Sequence, residues 1–239
     1  MPPRAGGKNR RTSRPPLTRE RVLAVAVELA DRQGLSAVTM RPLAAALGVE
    51  AMSLYHHLAG KEALLDGLVE RIADEVGEAI GLLPPTRHWR AALRQRCLAA
   101  RSVMLRHPWA PGLLQSRTAI PPRLYLHFES TLATMVGGGL SYHLAHRALH
   151  ALGSMTLGFM QELFAPARAD DGTAAQESAN LEEMAAMLPH MSAMVASEIH
   201  ANDGDVLGWC DSQAEFEFTL DLLLDGLERK RREEARARR

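Results

Sequence analysis

The chain has 239 residues, 46% of them hydrophobic, with 28 basic and 28 acidic side chains and a formal net charge of zero. That is enough apolar material for one large domain, or for a small domain joined to a larger one. Cys97 and Cys210 are too few for a dense disulfide framework and have no zinc-like spacing, no apolar run approaches the roughly 20 residues that span a bilayer, and Met1 to Lys8 lacks the apolar stretch of a secretory signal, so two buried or inert thiols and a cytoplasmic location are expected.

Neutrality is a sum of opposites. Residues 1–61 hold 10 Lys/Arg against 4 Asp/Glu, residues 62–227 hold 11 against 21, and residues 228–239 hold 7 against 3. A basic start beside an acidic remainder suits a polyanion contacted at one end only.

In chain order, residues 1–17 are rich in Pro, Gly and Arg and read as a disordered basic arm. Thr18 can cap a helix that turns Val22, Val25, Ala26 and Leu29 inward and stops at Gly34. Thr39 can cap the next helix through its hydroxyl; Pro42 falls in its first turn, Met40, Leu43 and Leu47 share an apolar face, and Gly48 ends it in a left-handed conformation. A second short helix follows, anchored by Leu54 with Ala51 and Leu58 on its side. At about 100° per residue, Met52 and His56 then lie opposite, flanked by Ser53 and Tyr55. Two short helices around a glycine turn, with an outward face beside cations, form a helix-turn-helix DNA reader.

After Gly60 a long helix starts at Lys61, with Leu65, Leu68, Ile72 and Val76 on one stripe, and ends before Pro84. Further helices are predicted over about 88–106, 109–115, 122–136, 141–164, 181–201 and 211–232, with a loop over 165–179, a glycine turn at 137–139 and no alternating strand. The expected fold is therefore all-α: an amino-terminal three-helix DNA-binding domain over 18–64, a larger helical domain over 65–232, and a basic tail over 233–239.

Two of these helices carry more apolar surface than one face can bury. Phe216, Leu220, Leu223 and Leu227 form a stripe with Phe218, Leu222 and Leu224 outside or beside it, and the helix at 141–164 spreads Leu144, Leu149, Leu152, Met155, Phe159 and Met160. A four-helix packing between two copies would cover the excess, giving a homodimer through helices near 141–164 and 211–232 that presents two reading helices to a palindromic site; a larger monomeric core is the alternative.

From residue 18 to 76 the chain resembles the DNA-binding domain of tetracycline-repressor (TetR) family regulators, in Thr39-Met-Arg41, Leu47-Gly-Val-Glu50, Leu54-Tyr-His-His57 and Gly60-Lys-Glu-Ala-Leu-Leu65. Thr156-Leu-Gly158, with Glu162 beyond, is a further similarity. The resemblance implies a homodimer, usually a repressor of a double-stranded DNA operator, whose carboxy-terminal domain binds a small effector and thereby releases DNA. It places Arg41 at a base edge and Tyr55, His57 and Lys61 on the phosphate backbone, with Thr39 beside them. Ala51, Met52, Ser53 and His56 depart from the tetracycline repressor at variable reading positions, so its operator sequence is not carried over. Read as ordinary residues, Arg41 and Lys61 are solvated cations and Tyr55 an anchor between helices.

A pocket of the family's kind would draw its apolar wall from Met104, Trp109, Leu113, Leu114, Tyr125, Phe128, Met155 and Phe159, and its orienting groups from Arg101, His127, Gln161 or Glu162; each also serves as plain core. Met184, Met187, Met191 and Met194 fall at helical spacing, as a core stripe or a pliable cover. Glu162 resembles an acidic position near the family's magnesium-linked histidine, but neither His107 nor His127 is assigned to that histidine, and no metal, cofactor or membrane partner is expected. His143, His146 and His150 read as a polar helix face. The competing readings are a helical enzyme with a buried small-molecule site, using Cys97 or a Ser/His pair, and a sequence-indifferent DNA-packaging protein, which the acidic body disfavours.

Overall fold

Thr18 has extended backbone angles (φ −128°, ψ 161°), and its hydroxyl accepts from the Arg21 backbone N–H at 3.2 Å, as an N-cap should. From this cap a computed structural model describes residues 16–82, 88–159, 187–199 and 212–238. Nearly all of the basic arm, Gln161, Glu162, the loop at 165–179, Met184 and Cys210 lie outside these described residues.

The helices are α1 (Arg19–Gln33), a single 3₁₀ turn at Leu35–Ala37, α2 (Met40–Leu47), α3 (Ala51–Tyr55), α4 (Lys61–Gly81), α5 (Trp89–Arg106), α6 (Ala110–Ser116), α7 (Pro122–Gly137), α8 (Tyr142–Gly158), α9 (Pro189–Ile199) and α10 (Ser212–Ala237). No strand occurs among the described residues, in agreement with the all-α expectation, and none of their helices is long and apolar enough to cross a membrane.

Two compact units divide the chain. The first comprises the described residues up to Asp74 together with Arg106–Arg123. Its core takes Val22, Ala26 and Leu29 from α1, Leu43 and Leu47 from α2, Leu54 from α3, and Leu64, Leu68, Val69 and Ile72 from α4. Leu64 occupies the position that helical periodicity assigned to Leu65, which is half-buried; adjacent leucines offer two phases for one stripe, and Leu64 is the one four residues before Leu68.

Polar ties join 106–123 to the rest of this unit. Arg117 Nη2 lies 2.9 Å from Glu62 and 2.8 Å from Asp66 on α4, and Arg123 lies 2.8 Å from Asp74. The Trp109 indole N–H donates to Asp31 on α1 at 2.7 Å, and His107 Nδ1 is 2.8 Å from the same carboxylate oxygen. The expected boundary at residue 64 follows the end of the motif, whereas the compact units group 106–123 with the first.

The second unit, Glu75–Leu105 with the described residues from Leu124 onward, packs α5, α7, α8 and α10 around Leu93, Cys97, Met135, Leu144, Leu152, Phe216 and Leu220. Ala145 and Ala148 on α8 are fully buried, and small residues there let the α8 backbone approach its neighbours closely. The stripe on α10 differs from the expected one: Phe216, Leu220 and Leu224 recur every four residues and are all buried, whereas Leu223 and Leu227 lie half-buried at its edge. Arg94 braces the polar edge of α10 through Glu217 at 2.5 Å and Asp221 at 3.1 Å, and Arg90 pairs with Asp225. The expected tail is largely helix, since α10 continues to Ala237 with Glu228 accepting from Arg231 at 2.8 Å and Arg232 at 2.6 Å.

Two predictions test this packing. A Cβ on Gly138 would fall inside contact distance of Trp89 Cβ and Cγ, so Gly138→Ala should destabilise the second unit by about 1–3 kcal/mol in chemical denaturation. The Arg231 hydrogen bond is the main reason the Glu228 carboxyl sits at about 2 rather than at its ordinary 4.5. A depressed carboxylate stabilises the fold above its ordinary value and loses that contribution as pH falls through the folded one. The stability gap between wild type and Glu228→Gln, followed by urea denaturation, should therefore be widest above about pH 5 and close progressively toward about pH 2.

Candidate nucleic-acid interface

The reading element is short and depends on its supports. α2 ends at Gly48 with φ 67° and ψ 38°, the left-handed conformation expected from sequence, and the Gly48 N–H is satisfied by the carbonyls of Ala44 and Ala45. This turn delivers α3, in which Leu54 is 0% exposed, with Leu58 buried just beyond. Fixing Leu54 inward orients the remaining side chains: Met52 is 72% exposed, Tyr55 49%, His56 exposed, and Ala51, Ser53 and His57 half-buried. Tyr55 is thus not the interhelical anchor of the competing reading, and its phenol is open to a partner. The helical assignment stops at Tyr55, so His56 and His57 stand in the following turn, where the His57 N–H bonds the Leu54 carbonyl at 2.9 Å.

Thr39, Arg41 and Lys61 are exposed, and no ion pair occupies Arg41 or Lys61 among the described residues. Thr39 corrects one expectation. It has the extended backbone of an N-cap (φ −132°, ψ 164°), yet its hydroxyl makes no capping hydrogen bond. The third position of α2 is Pro42, which has no N–H to donate, so the chain removes one of the two usual donors to a cap. The Thr39 hydroxyl remains on the exposed edge of α2. Chemically, the exposed residues offer a guanidinium fork, an ammonium, a phenol and an imidazole, the groups that bond phosphate oxygens and base edges.

The candidate effector residues divide between the units. Trp109 and Leu113 belong to the first, where Leu113 is buried and the Trp109 indole is committed to Asp31. Arg101, Met104, Tyr125, His127, Phe128, Met155 and Phe159 belong to the second. There, Arg101 is 1% exposed: its Nε donates to Gln213 Oε1 at 2.9 Å, its Nη1 donates to the Phe159 carbonyl at 3.1 Å, and its guanidinium lies 4.7 Å from the centre of the Phe216 ring. Phe159 meets Phe216 edge-on at 5.6 Å, and Met155 packs half-buried on the same core. Gln213 and Phe216 were not expected at this site. Phe216 read as plain stripe, and nothing local marks a glutamine on a helix as the acceptor for an arginine far away in the chain.

Met104 is buried and Tyr125 largely exposed, while His127 and Phe128 are half-buried neighbours with ring centres 6.3 Å apart. Burial holds the His127 imidazole below its ordinary range, and Arg96 pushes it the same way. Among the described residues, no three His, Cys, Asp or Glu side chains converge as a metal cage. Burial also pushes the Cys97 thiol up to about 11, against weaker opposing effects of Thr156 and Arg96. A thiol so seldom ionised is a poor nucleophile at neutral pH.

Residues 22–68 match the family profile described as bacterial regulatory proteins, tetR family, and residues 83–231, more than half of the chain, match the one described as tetracyclin repressor-like, C-terminal domain. The chain belongs to the TetR family. This TetR-family chain is 35% identical over 136 residues to the HTH-type transcriptional repressor DrrR1 of Streptomyces coeruleorubidus, covering 57% of this chain and 50% of that protein. It is 32% identical over 127 residues to an HTH-type transcriptional regulator of Saccharopolyspora erythraea, covering 53% and 52%. The matched region thus spans about half the length of each of these relatives. Among solved structures, apo ActR from Streptomyces coelicolor superposes with a TM-score of 0.72 at 25% identity, covering 92% of this chain and 99% of that one. ActR in complex with actinorhodin gives 0.66 at 26% identity, covering 90% and 96%.

The raised Cys97 thiol yields a prediction that separates regulator from thiol enzyme. Alkylation of the folded chain with iodoacetamide at pH 7.5, mapped by mass spectrometry, should leave the Cys97 peptide unmodified until denaturant is added; rapid labelling of the native protein would show an activated thiolate.

Proposed function

We propose that this TetR-family protein is a cytoplasmic DNA-binding transcriptional regulator, acting as a homodimeric repressor of a palindromic operator and released from it by a small-molecule effector. The observation that carries the reading is the outward face of α3 and the turn after it, where Met52, Tyr55 and His56 are exposed while Leu54 is wholly buried. Arg41 is assigned to a guanine edge, where a guanidinium can make two hydrogen bonds. Tyr55, His57 and Lys61 are assigned to phosphates, with Thr39 beside them, and Ala51, Met52, Ser53 and His56 to the base edges that set operator choice. The repressor sense is supported by the naming of DrrR1, and the effector by the actinorhodin complex of ActR.

Support for the dimer comes from exposed apolar side chains on the expected helices: Tyr142 on α8, and Phe218 and Leu222 on α10. A second copy would cover this surface and bring two reading helices to successive grooves about 34–36 Å apart. The effector site is placed in the second unit around Arg101, Gln213, Phe159 and Phe216. The chain leaves that unit at the end of α5, four residues or so beyond Arg101, forms the segment 106–123 in the first unit, and returns through α7. An effector that repositions Arg101 therefore pulls on a segment tied by Asp31, Glu62 and Asp66 to the helices that carry the reader.

The primary test is selection of bound sequences from a random duplex pool, then compound screening for release. Recovery of a palindrome supports the proposal, and equal binding to every duplex would favour DNA packaging instead. Arg41→Ala should weaken the selected operator by about 1–3 kcal/mol and relax one position of its logo. Lys61→Ala should weaken all duplexes by similar factors and flatten the salt dependence by about one unit of slope. For transmission, Asp31→Ala should leave DNA affinity without effector within about threefold of wild type while moving the mutual coupling factor of DNA and effector toward one. Titrating each ligand in the absence and presence of the other measures that factor directly.

A further inference from the structure

Helix α8 carries a histidine arrangement that the regulator reading leaves unused. Its inward positions are Leu144, Ala145, Ala148, Leu152 and Thr156, all buried. His146 and His150, four residues apart, stand exposed on the opposite side, and their ring centres are 4.7 Å apart with an interplanar angle of 75°. Side chains four apart share a helix face, and two histidines at this spacing are how a helix presents a pair of nitrogens to one zinc ion.

The separation fits chelation. Two imidazoles bound through one nitrogen each, at about 2.0–2.1 Å from the ion, place their ring centres roughly 4.5–5.2 Å apart for ligand angles between octahedral and tetrahedral. The observed 4.7 Å lies within that range, and both rings are exposed, so side-chain rotation can turn one nitrogen of each toward a common ion. Rotation about the metal–nitrogen bond is free, so a large angle between the rings is no obstacle.

We propose that His146 and His150 form a two-point site for a divalent transition cation of the zinc, nickel or copper class. Imidazole is the preferred donor of these ions, and α8 offers no carboxylate along its length, which disfavours magnesium and calcium. His143 is on the same side, three residues before His146 and seven before His150, so one ion cannot bind all three; no group of three such donors converges among the described residues. Water or the pair from a second copy of α8 completes the coordination. This site shares no residue with the Arg101 cluster or with the reading face, and it stands whether or not an effector is ever found.

The test is isothermal titration of the untagged full chain with ZnCl₂, with MgCl₂ as the hard-ion control and circular dichroism to check each variant's fold. Binding is expected at one ion per chain or one per pair of chains, and not with magnesium. His146→Ala and His150→Ala should each weaken Zn²⁺ binding by about tenfold or more, since losing a ligand costs at least as much as losing an outer-shell partner. His143→Ala should leave it within about twofold of wild type, because that residue is not a ligand. Absence of zinc binding, equal binding by the His146 and His150 variants and wild type, or loss of binding in only one of the two would overturn the proposal.

Discussion

The burial of Leu54 is the contact on which the functional surface depends. A helix of five residues has no independent stability, because nucleation costs more than one turn of hydrogen bonds returns. α3 exists because Leu54 and Leu58 are buried in the core of the first unit, and because Gly48 turns the chain without strain at a positive φ. Two local constraints, one apolar and one stereochemical, thereby fix the direction in which Met52, Tyr55 and His56 point. Removing the apolar anchor would melt the turn rather than tilt it.

Around this anchor the molecule uses two kinds of adhesive. Each unit closes on leucine, valine and alanine, the non-directional part of the fold. The segment 106–123 buries Ala110, Pro111 and Leu113 and adds directional contacts: a carboxylate shared by an indole and an imidazole, and an arginine set between two carboxylates. Arg117 is the less comfortable of these, since its Nε is buried without a hydrogen-bond partner while its terminal nitrogen meets both Glu62 and Asp66. Partly exposed ion pairs are individually weak, so these ties give the segment direction more than stability.

Much of this was legible in the residues themselves. The Thr18 cap, the Gly48 turn and the inward Leu54 follow from local stereochemistry and a period of about 3.6, which need no tertiary information. The misread details have one cause each. The Thr39 hydroxyl caps nothing, and Pro42 removes one of the two N–H groups that a cap would use. Leu64 against Leu65, and Leu224 against Leu223, are choices between adjacent phases that only the packed neighbours decide. The pairings of Arg101 with Gln213 and of Arg117 with Glu62 join residues far apart in the chain, and a single sequence carries no mark of which charge meets which.

The separation of anchor and reader on α3 has a consequence for how such a protein diversifies. Met52 and His56 are exposed, so exchanging them costs little folding free energy, and on the proposed assignment such an exchange acts through operator choice alone. Duplicated copies of the gene can drift at these positions without passing through an unfolded intermediate, while Leu54 holds the scaffold constant. Divergence toward new operators is then a neutral walk over a small, solvent-facing set of side chains, bounded by the affinity each step retains for a working site.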